Sequence, residues 1–184
     1  MLEVRGDLFK FDGSAICLTT NGHVRNDGAC VMGRGVAKQA TERWPGIEYR
    51  IGQFISSRGN HVHRVSLWPD YAGSPKLPLV KMPKSKVVAP ANWLSLQFHI
   101  FTLPVKHHWR EKADLELIER SLRELVYKVD GHTPEHAATA KRDQLKRIAL
   151  PRPGCGNGGL SWDNVRPLAA KILDDRFIVI ERNV

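Results

Sequence analysis

The stretch LPRPGCGNGGLSW, from Leu150 to Trp162, holds four glycines between Gly154 and Gly159. It follows the apolar run RIAL and opens a segment with helical character, so it lies between a predicted strand and a predicted helix. Glycine reaches positive φ at little cost, and its missing Cβ lets backbone N–H groups approach a ligand closely. The pattern therefore predicts a phosphate-binding turn in an α/β protein, with a merely flexible turn as the alternative.

A second glycine loop, GACVMGRGVAKQA from Gly28 to Ala40, occupies an equivalent place. It follows the predicted strand Ala15–Thr20 and opens the predicted helix Gly35–Trp44, which ends before Pro45. Ligands of open α/β sheets bind beyond the carboxyl ends of the strands, where two such loops can share one crevice. The pair favours a phosphate cradle over a flexible turn. Neither loop matches GxxxxGK[ST], which argues against an ordinary ATP or GTP site.

Strands and helices alternate over the rest of the chain, which predicts a layered α/β sheet with helices on both faces. The other predicted strands are Leu2–Arg5, His61–Leu67, Lys86–Ala89, Gln97–Leu103, Arg147–Leu150 and Arg176–Glu181. The other predicted helices are Tyr49–Ser56, Glu111–Val129, His132–Asp143 and Ser161–Asp174, with Ser161 as a cap of the last. We expect one domain over 1–184 with an insertion or long loop around 67–85, where prolines argue against a separate core.

Composition narrows the class of protein. The net charge of +9 fits a polyanionic partner such as DNA or RNA, although it also serves solubility. Three cysteines without CxxC spacing and eight scattered histidines predict neither a disulfide framework nor a metal site, and we expect no cofactor. The charged N-terminal residues and the lack of a long apolar run predict a soluble protein that makes no membrane contact, and with the sparse cysteines they indicate the reducing cytoplasm. We expect a monomer, although no sequence feature decides the oligomeric state.

Four motifs together resemble the macrodomain, an ADP-ribose-binding module with three α/β/α layers around a mixed sheet. They are GDLF at Gly6–Phe9, TTN at Thr19–Asn21, VMGRGVAKQ at Val31–Gln39 and LPRPGCGNGGLSW at Leu150–Trp162. The chain looks most like the DarG-type macrodomains, antitoxins that remove ADP-ribose from DNA thymidine. Terminal ADP-ribose protein glycohydrolases and phage-encoded macrodomains are similar too. The resemblance implies ADP-ribose and ADP-ribosylated DNA as binding partners, and a DarT-type toxin as a cognate partner.

The resemblance also implies a set of ligand-binding residues. Asp7 would recognise the adenine amino group with the Leu8 backbone beside it, and Asn21 would reach the distal ribose. The residues implied to bind ADP-ribose are Asp7, Leu8, Thr20, Asn21, Met32, Gly33, Arg34, Gly35, Val36, Pro151, Gly154, Cys155, Gly156, Asn157, Gly158, Gly159 and Leu160. The segment near Arg182 and Asn183 would close over the adenine. Without the resemblance, Asp7 and Asn21 are equally typical of turn residues.

The resemblance assigns catalysis to Lys106 and Asn21. Lys106 lies in PVKHHW, which matches the PxKxxW context of a catalytic lysine in DarG-type and related glycohydrolases. Two roles are open for it: an amine of lowered pKa that attacks the anomeric carbon and forms a Schiff base, or an ammonium that stabilises the leaving group. The neighbouring His107 and His108 are more typical of surface or packing residues than of proton carriers. Cys30 and Cys155 are expected to be packing residues, because neither has a basic partner in the sequence.

Two departures from the family pattern bear on the substrate. Protein-directed glycohydrolases carry an aspartate two residues after GCG, where this chain has Gly158. Its absence favours the DNA-directed branch and a lysine-centred, metal-free mechanism. The loop NGHVRNDGA is also longer than in the family. Its Asn26 and Asp27 either supply a polar group near the distal ribose or only form a turn.

The leading functional hypothesis is therefore an enzyme that hydrolyses the N-glycosidic bond between ADP-ribose and a base in single-stranded DNA, with thymine as the expected base. The first alternative is another hydrolase using the same pocket, either an ADP-ribose 1″-phosphate phosphatase or a protein mono-ADP-ribosyl hydrolase. The second is a non-catalytic ADP-ribose reader. The third is a basic nucleic-acid-binding module that does not bind ADP-ribose.

Overall fold

The computed structural model describes residues 1–65, 99–131 and 147–182. The insertion predicted around 67–85 lies outside the described residues, as do the strand predicted at Lys86–Ala89, the helix predicted at His132–Asp143, and Asn183.

Six strands and four helices alternate along the described chain. The strands are β1 (Leu2–Gly6), β2 (Ala15–Asn21), β3 (Arg64–Val65), β4 (His99–Lys106), β5 (Ile148–Pro151) and β6 (Phe177–Arg182). The helices are α1 (Gly35–Arg43), α2 (Ile47–Arg58), α3 (Leu115–Val129) and α4 (Trp162–Ile172). Short 3₁₀ turns lie at Leu8–Lys10 and Gly156–Gly158.

The strands form one sheet in the order β1-β6-β5-β2-β4-β3. All neighbouring pairs are parallel except β3 with β4, which is antiparallel, so the predicted mixed sheet is confirmed. Because β1, β2, β4, β5 and β6 run in the same direction, the loops that follow them emerge at one edge of the sheet. Both glycine loops belong to this edge, one after β2 and the other after β5.

The side chains of the central strands alternate between two cores. In β2, Ala15 and Cys17 belong to the core under α3 and α4, whereas Ile16 and Leu18 belong to the core under α1 and α2. The pleat of a strand places successive side chains on opposite faces, so a run that is buried throughout must be covered on both sides. The predicted three-layer α/β/α arrangement is therefore confirmed.

Two elements differ from prediction where they approach the cleft. β4 continues through Pro104 to Lys106, three residues beyond the predicted end. Proline has no N–H to donate, but β3 pairs only with Ile100 and Phe101, so no hydrogen bond from Pro104 to β3 is required. α3 begins at Leu115 rather than at Glu111, since the Asp114 carboxylate accepts hydrogen bonds from the N–H groups of Glu116 and Leu117. Residues 107–113 are consequently a loop.

The remaining boundaries agree with prediction within two residues, apart from one strand. α2 extends the helix predicted at Tyr49–Ser56 by two residues at each end, to Ile47–Arg58. The strand predicted at His61–Leu67 is reduced, within the described residues, to Arg64–Val65. No helix in the described part of the chain combines the length and apolar character that a membrane crossing requires.

Candidate active site

An open cleft of about 1230 Å³ lies at the carboxyl edge of the sheet. Both glycine loops line it, together with the turn after β1, the end of β2, the loop after β4 and the end of β6. The lining includes residues 6–8, 19–21, 33–37, 105–106, 109–112, 151–152, 154–159 and 180–182. The two predicted loops therefore face each other across one hollow, which the phosphate-cradle prediction required.

The glycine loops contact each other directly. A Cβ on Gly35 would lie 3.1 Å from the side-chain nitrogen of Asn157, so the first loop meets the second at this point. Gly35 has a φ of +59°, a region that side chains with a Cβ rarely adopt. The backbone of one loop is thus held against a side chain of the other.

Position 154 requires glycine both because of its backbone conformation and because a side chain there would clash with its neighbours. Its φ is +73°, and a Cβ there would lie 2.6 Å from Ile118 Cδ1 and 3.0 Å from Ala113 Cβ. The loop thus packs directly on the start of α3. This packing explains why a glycine lies at position 154 in the loop after β5, and it argues against the flexible-turn alternative for Gly154.

Each loop presents backbone N–H groups to the cleft. At the start of α1 no side chain caps the helix, and the N–H groups of Gly35 and Val36 have no acceptor within the described part of the chain. In the second loop the same holds, among the described residues, for the N–H groups of Gly156 and Asn157. Such unpaired donors at a helix start hold anions. By contrast, the N–H of Asp163 in α4 is bound to the Ser161 hydroxyl, as predicted.

Lys106 is held at both ends. The register of β2 against β4 shifts between Thr20 and Asn21, so that Asn21 pairs with Lys106. The Lys106 carbonyl accepts from the Gly22 N–H at 3.1 Å and from Asn60 Nδ2 at 3.0 Å. Its ammonium donates to the Asn157 carbonyl at 2.8 Å, which brings the side chain against the second glycine loop.

The two polar residues at the end of β2 have different environments. Asn21 donates from Nδ2 to the Val31 carbonyl at 2.8 Å and accepts from the His23 N–H at 3.0 Å, so it anchors the loop that follows β2. Thr20 is 4% exposed, and its Oγ1 finds no hydrogen-bond partner in the described part of the chain. A buried hydroxyl without a partner is costly, which suits a residue whose partner is a ligand group.

Asp7 lies at the other end of the cleft, beside buried Leu8. One carboxylate oxygen accepts from the Phe9 N–H at 2.9 Å and caps the 3₁₀ turn, as the turn interpretation predicts. The other oxygen lies 3.9 Å from Arg43 Nη2, whose guanidinium stacks 4.5 Å from the Phe9 ring centre. A carboxylate oxygen that is not used by the turn therefore remains on the cleft side.

Two of the implied ligand residues do not line the cleft. The side chain of Met32 is buried in the core under α1 and α2, and Leu160 packs against the core under α3 and α4. The other implied residues, and Lys106, all belong to the lining.

Several polar candidates outside the glycine loops have structural partners. His107 Nε2 lies 3.3 Å from the Asp114 carboxylate, and His108 packs edge-on against His23. Asp27 accepts from the Ala29 N–H, which is the main cause of its lowered pKa, and pairs with Arg25. These contacts match the turn interpretation of Asp27.

The cysteine thiols are protonated at neutral pH. Burial raises the pKa of Cys30 to about 12, and burial also raises the pKa of Cys155. Because the thiolate is the nucleophilic form, neither residue is suited to covalent chemistry. Within residues 1–65, 99–131 and 147–182, no three His, Cys, Asp or Glu side chains form a group that could hold a metal ion.

The cleft also contains residues that the sequence did not assign to it. Trp109, Arg110, Glu111 and Lys112 line it from the loop after β4, and Arg152 and Glu181 line the end near β6. Arg182, which the resemblance implied, lines that end as well. Arg152 is ion-paired with Glu181 at 2.7 Å. For Trp109 a signal was available in the PxKxxW motif itself. For Arg152 and Glu181 there was none, because their pairing joins segments 29 residues apart.

The fold and this cleft define a class of protein. The model of the Macro domain family matches residues 81–169. The chain is also similar, over 99% of its length, to the macrodomain of Thermus aquaticus DarG, with a TM-score of 0.63 and 24% identity over 97% of that chain. A structure of Thermosipho africanus DarTG in complex with ADP-ribose gives a TM-score of 0.63 with 23% identity, covering 99% of this chain and 41% of that one. The Macro domain model thus covers a little less than half of the chain, and the chain has the fold of these macrodomain structures.

Sequence relatives point to one branch of macrodomains. A DNA ADP-ribosyl glycohydrolase of Thermus aquaticus is 33% identical over 76 residues, which is 41% of this chain and 18% of that protein. A DNA ADP-ribosyl glycohydrolase of Mycobacterium tuberculosis is 27% identical over 162 residues, which is 87% of this chain and 35% of that protein. The chain thus spans between about a fifth and about a third of the length of these curated relatives.

Proposed function

We propose that the chain binds ADP-ribose in the cleft and hydrolyses the bond between ADP-ribose and thymine in single-stranded DNA. The observation that carries the proposal is the contact of the Lys106 ammonium with the Asn157 carbonyl. It brings the reactive amine to the loop that would hold the diphosphate and the distal ribose. The names of the two DNA ADP-ribosyl glycohydrolase relatives support the choice of substrate.

The cleft suits the chemical groups of ADP-ribose. The unpaired N–H groups of Gly35, Val36, Gly156 and Asn157 would bind the diphosphate, because helix starts and glycine loops favour anions. The Asp7 oxygen that the turn does not use, which lies 3.9 Å from Arg43 Nη2, would accept from the adenine amino group at the other end. The orphan hydroxyl of Thr20 would gain a partner from the ligand. The structure of Thermosipho africanus DarTG, solved in complex with ADP-ribose, supports this ligand.

Lys106 has two chemically complete routes. In the first, water attacks C1″ of the distal ribose, the C1″–N bond breaks, and the ammonium stabilises the departing thymine or protonates it. In the second, the neutral amine attacks C1″ and displaces the thymine nitrogen, which takes up a proton; the ribosylamine then opens to a Schiff base, and water hydrolyses it to release ADP-ribose and restore the amine. Both routes release ADP-ribose and leave an unmodified thymine in the DNA strand, and neither step uses a metal ion.

The surroundings of Gly158 favour DNA over protein as the substrate carrier. A Cβ at this position would lie 2.9 Å from Ala113 Cβ, so the aspartate of the protein-directed enzymes could not be added without moving the start of α3. The loop after β4 therefore occupies the space that this acid would need. Single-stranded DNA would also avoid the unstacking cost of a duplex. We further infer that a DarT-type transferase supplies the substrate, because the Thermosipho africanus structure contains DarT together with DarG.

A substrate panel tests the function. Thymidine-ADP-ribosylated oligonucleotide, ADP-ribosylated protein and ADP-ribose 1″-phosphate are incubated with the wild type, Lys106→Ala and Lys112→Ala. We expect turnover of the oligonucleotide alone. Lys106→Ala should abolish it, by a factor of at least about 10² if one electrostatic donor is lost, and should leave ADP-ribose affinity nearly unchanged. Lys112→Ala, which removes another lysine of the same cleft, should remain active.

The outcomes separate the alternative functions. Cleavage of the phosphate ester alone, or of the modified protein alone, would replace the proposed substrate. Binding of ADP-ribose without any turnover would make the chain a reader, and the absence of binding would leave a nucleic-acid-binding module. Borohydride reduction during turnover distinguishes the two lysine routes, because only a Schiff base is trapped as a stable adduct on Lys106.

A further inference from the structure

We propose that Trp109 and Arg110 form a docking surface for the nucleotide next to the ADP-ribosylated one, with its base stacked on Trp109 and its phosphate near Arg110. This inference rests on the proposed function and specifies how the DNA strand is held at the side of the cleft formed by the loop after β4. It begins from an exposed aromatic side chain whose position neither packing nor the ADP-ribose site explains.

Trp109 is unusual among the apolar residues of the described chain. Five large apolar side chains there are strongly exposed, and of these only Trp109, at 42% exposure, lines the cleft. Exposing an indole costs hydrophobic free energy that burial would recover, which indicates a binding surface rather than a packing role.

The loop that carries Trp109 is firmly anchored. The His108 N–H donates to the Glu111 carboxylate at 3.0 Å, and the Glu111 N–H returns a bond to the His108 carbonyl at 3.1 Å. The Ala113 N–H donates to the Gly158 carbonyl at 2.8 Å, which ties the loop to the second glycine loop. The indole is therefore presented from a fixed backbone, and a fixed ring loses little entropy on binding.

The charge next to the ring suits a phosphate. The Arg110 guanidinium lies 4.7 Å from the centre of the Trp109 ring, and Lys112 lies on the same side of the cleft. The acidic groups of this loop are occupied, since Glu111 accepts from His108 and Asp114 caps α3 and contacts His107. Neither Arg110 nor Lys112 forms an ion pair with another residue in the described part of the chain. An aromatic ring beside cations is the combination with which proteins hold single strands.

The docking surface follows the proposed reactive lysine closely along the chain. Trp109 follows Lys106 by three residues, on the loop that leads outward from the end of β4. A base bonded to the distal ribose at Lys106 would leave the cleft toward this loop. The neighbouring nucleotide of the same strand is then the group that reaches the exposed indole.

The experiment compares a short and a long substrate. ADP-ribosylated thymidine nucleoside lacks a flanking nucleotide, whereas an ADP-ribosylated oligonucleotide supplies one. Trp109→Leu should raise KM for the oligonucleotide about tenfold, in line with the loss of one stacked base, and should leave KM for the nucleoside and the affinity for ADP-ribose unchanged. Trp109→Phe should retain most of the oligonucleotide preference. Arg110→Ala should reduce the slope of log K against log[salt] for oligonucleotide binding by about one, which corresponds to one counterion fewer released.

The control variant is Tyr127→Ala, which removes another exposed aromatic side chain, on α3 and outside the cleft. It should not alter either KM. Equal losses for nucleoside and oligonucleotide in Trp109→Leu would assign Trp109 to the ADP-ribose site and overturn the inference, as would no change for either substrate. If the wild type cleaves neither substrate, the proposed function itself fails. This result differs from equal losses in Trp109→Leu and from no change in Trp109→Leu, since both of those require an active wild type.

Discussion

At the scale of single residues, the cleft is shaped by positions that tolerate little substitution. Gly154 combines positive φ with direct contact to Ile118, and Lys106 is fixed through its carbonyl and its ammonium. The sequence indicated both residues through motifs. It did not indicate Asn60, which holds the Lys106 carbonyl, because this contact spans 46 residues and involves no motif.

The contrast between two glycines of the same loop tests this packing. An alanine at position 154 would have an unfavourable positive φ, and its Cβ would lie 2.6 Å from Ile118 Cδ1. An alanine at position 156 would have an unfavourable φ of +70°, but nothing lies within 4 Å of its Cβ. We expect Gly154→Ala to lower the free energy of unfolding by about 3 kcal/mol and Gly156→Ala by about 1 kcal/mol. Urea unfolding of both variants measures the difference. Equal losses would show that Ile118 does not restrict Gly154.

At the scale of elements, the loop between β4 and α3 is where sequence patterns were least informative. The spacing of Ile118, Leu122 and Leu125 predicted α3 correctly, but residues 111–113 are not helical. The Ala113 N–H is bound to Gly158 and the Asp114 N–H to Val105, so long-range contacts hold this segment as a loop. Because helical periodicity reports only the buried face, it could not locate this start.

The start of α3 gives a prediction about its cap. Asp114→Ala removes the acceptor for two N–H groups and should lower the free energy of unfolding by about 1 kcal/mol at pH 7. Asp114→Asn should retain most of this contribution. The N–H of Leu117 is the main cause of the lowered pKa of Asp114. The cap contribution is therefore complete above the unfolded-state pKa of about 4 and decreases as the pH falls through the lower folded value.

Thermal unfolding at pH 7 and pH 3 measures this effect. The difference in Tm between the wild type and Asp114→Ala should be smaller at pH 3 than at pH 7, because protonation weakens the carboxylate as a hydrogen-bond acceptor. A difference that stays constant would show that the charge of the Asp114 carboxylate does not contribute to the cap.

At the scale of the whole molecule, the fold class and the loops that carry the motifs could be predicted from the sequence, but the order of the strands could not. The alternation of strands and helices predicted α/β layers, and the macrodomain resemblance supplied the mixed sheet. The strand order could not be derived from apolar patterns, because β2, β4, β5 and β6 are all buried and read alike. The position of Arg152 beside Glu181 and Glu3 follows from that order, as β5 and β1 both flank β6.

The whole account depends on one proposal: that backbone amides of the two glycine loops bind the diphosphate of ADP-ribose in the cleft. Gly33 offers a direct test, because nothing lies within 4 Å of an added Cβ and its φ is not positive, so substitution should preserve the fold. Asparagine and aspartate at this position have the same shape and differ in charge. A carboxylate beside the diphosphate should repel it.

The deciding measurement is calorimetric titration of ADP-ribose into the wild type, Gly33→Asn and Gly33→Asp. We predict one ADP-ribose per wild-type chain, and an affinity for Gly33→Asp at least about tenfold below that of Gly33→Asn, which corresponds to about 1.4 kcal/mol of repulsion. No heat with the wild type, or equal affinities for the two variants, would contradict binding of the diphosphate between the two glycine loops.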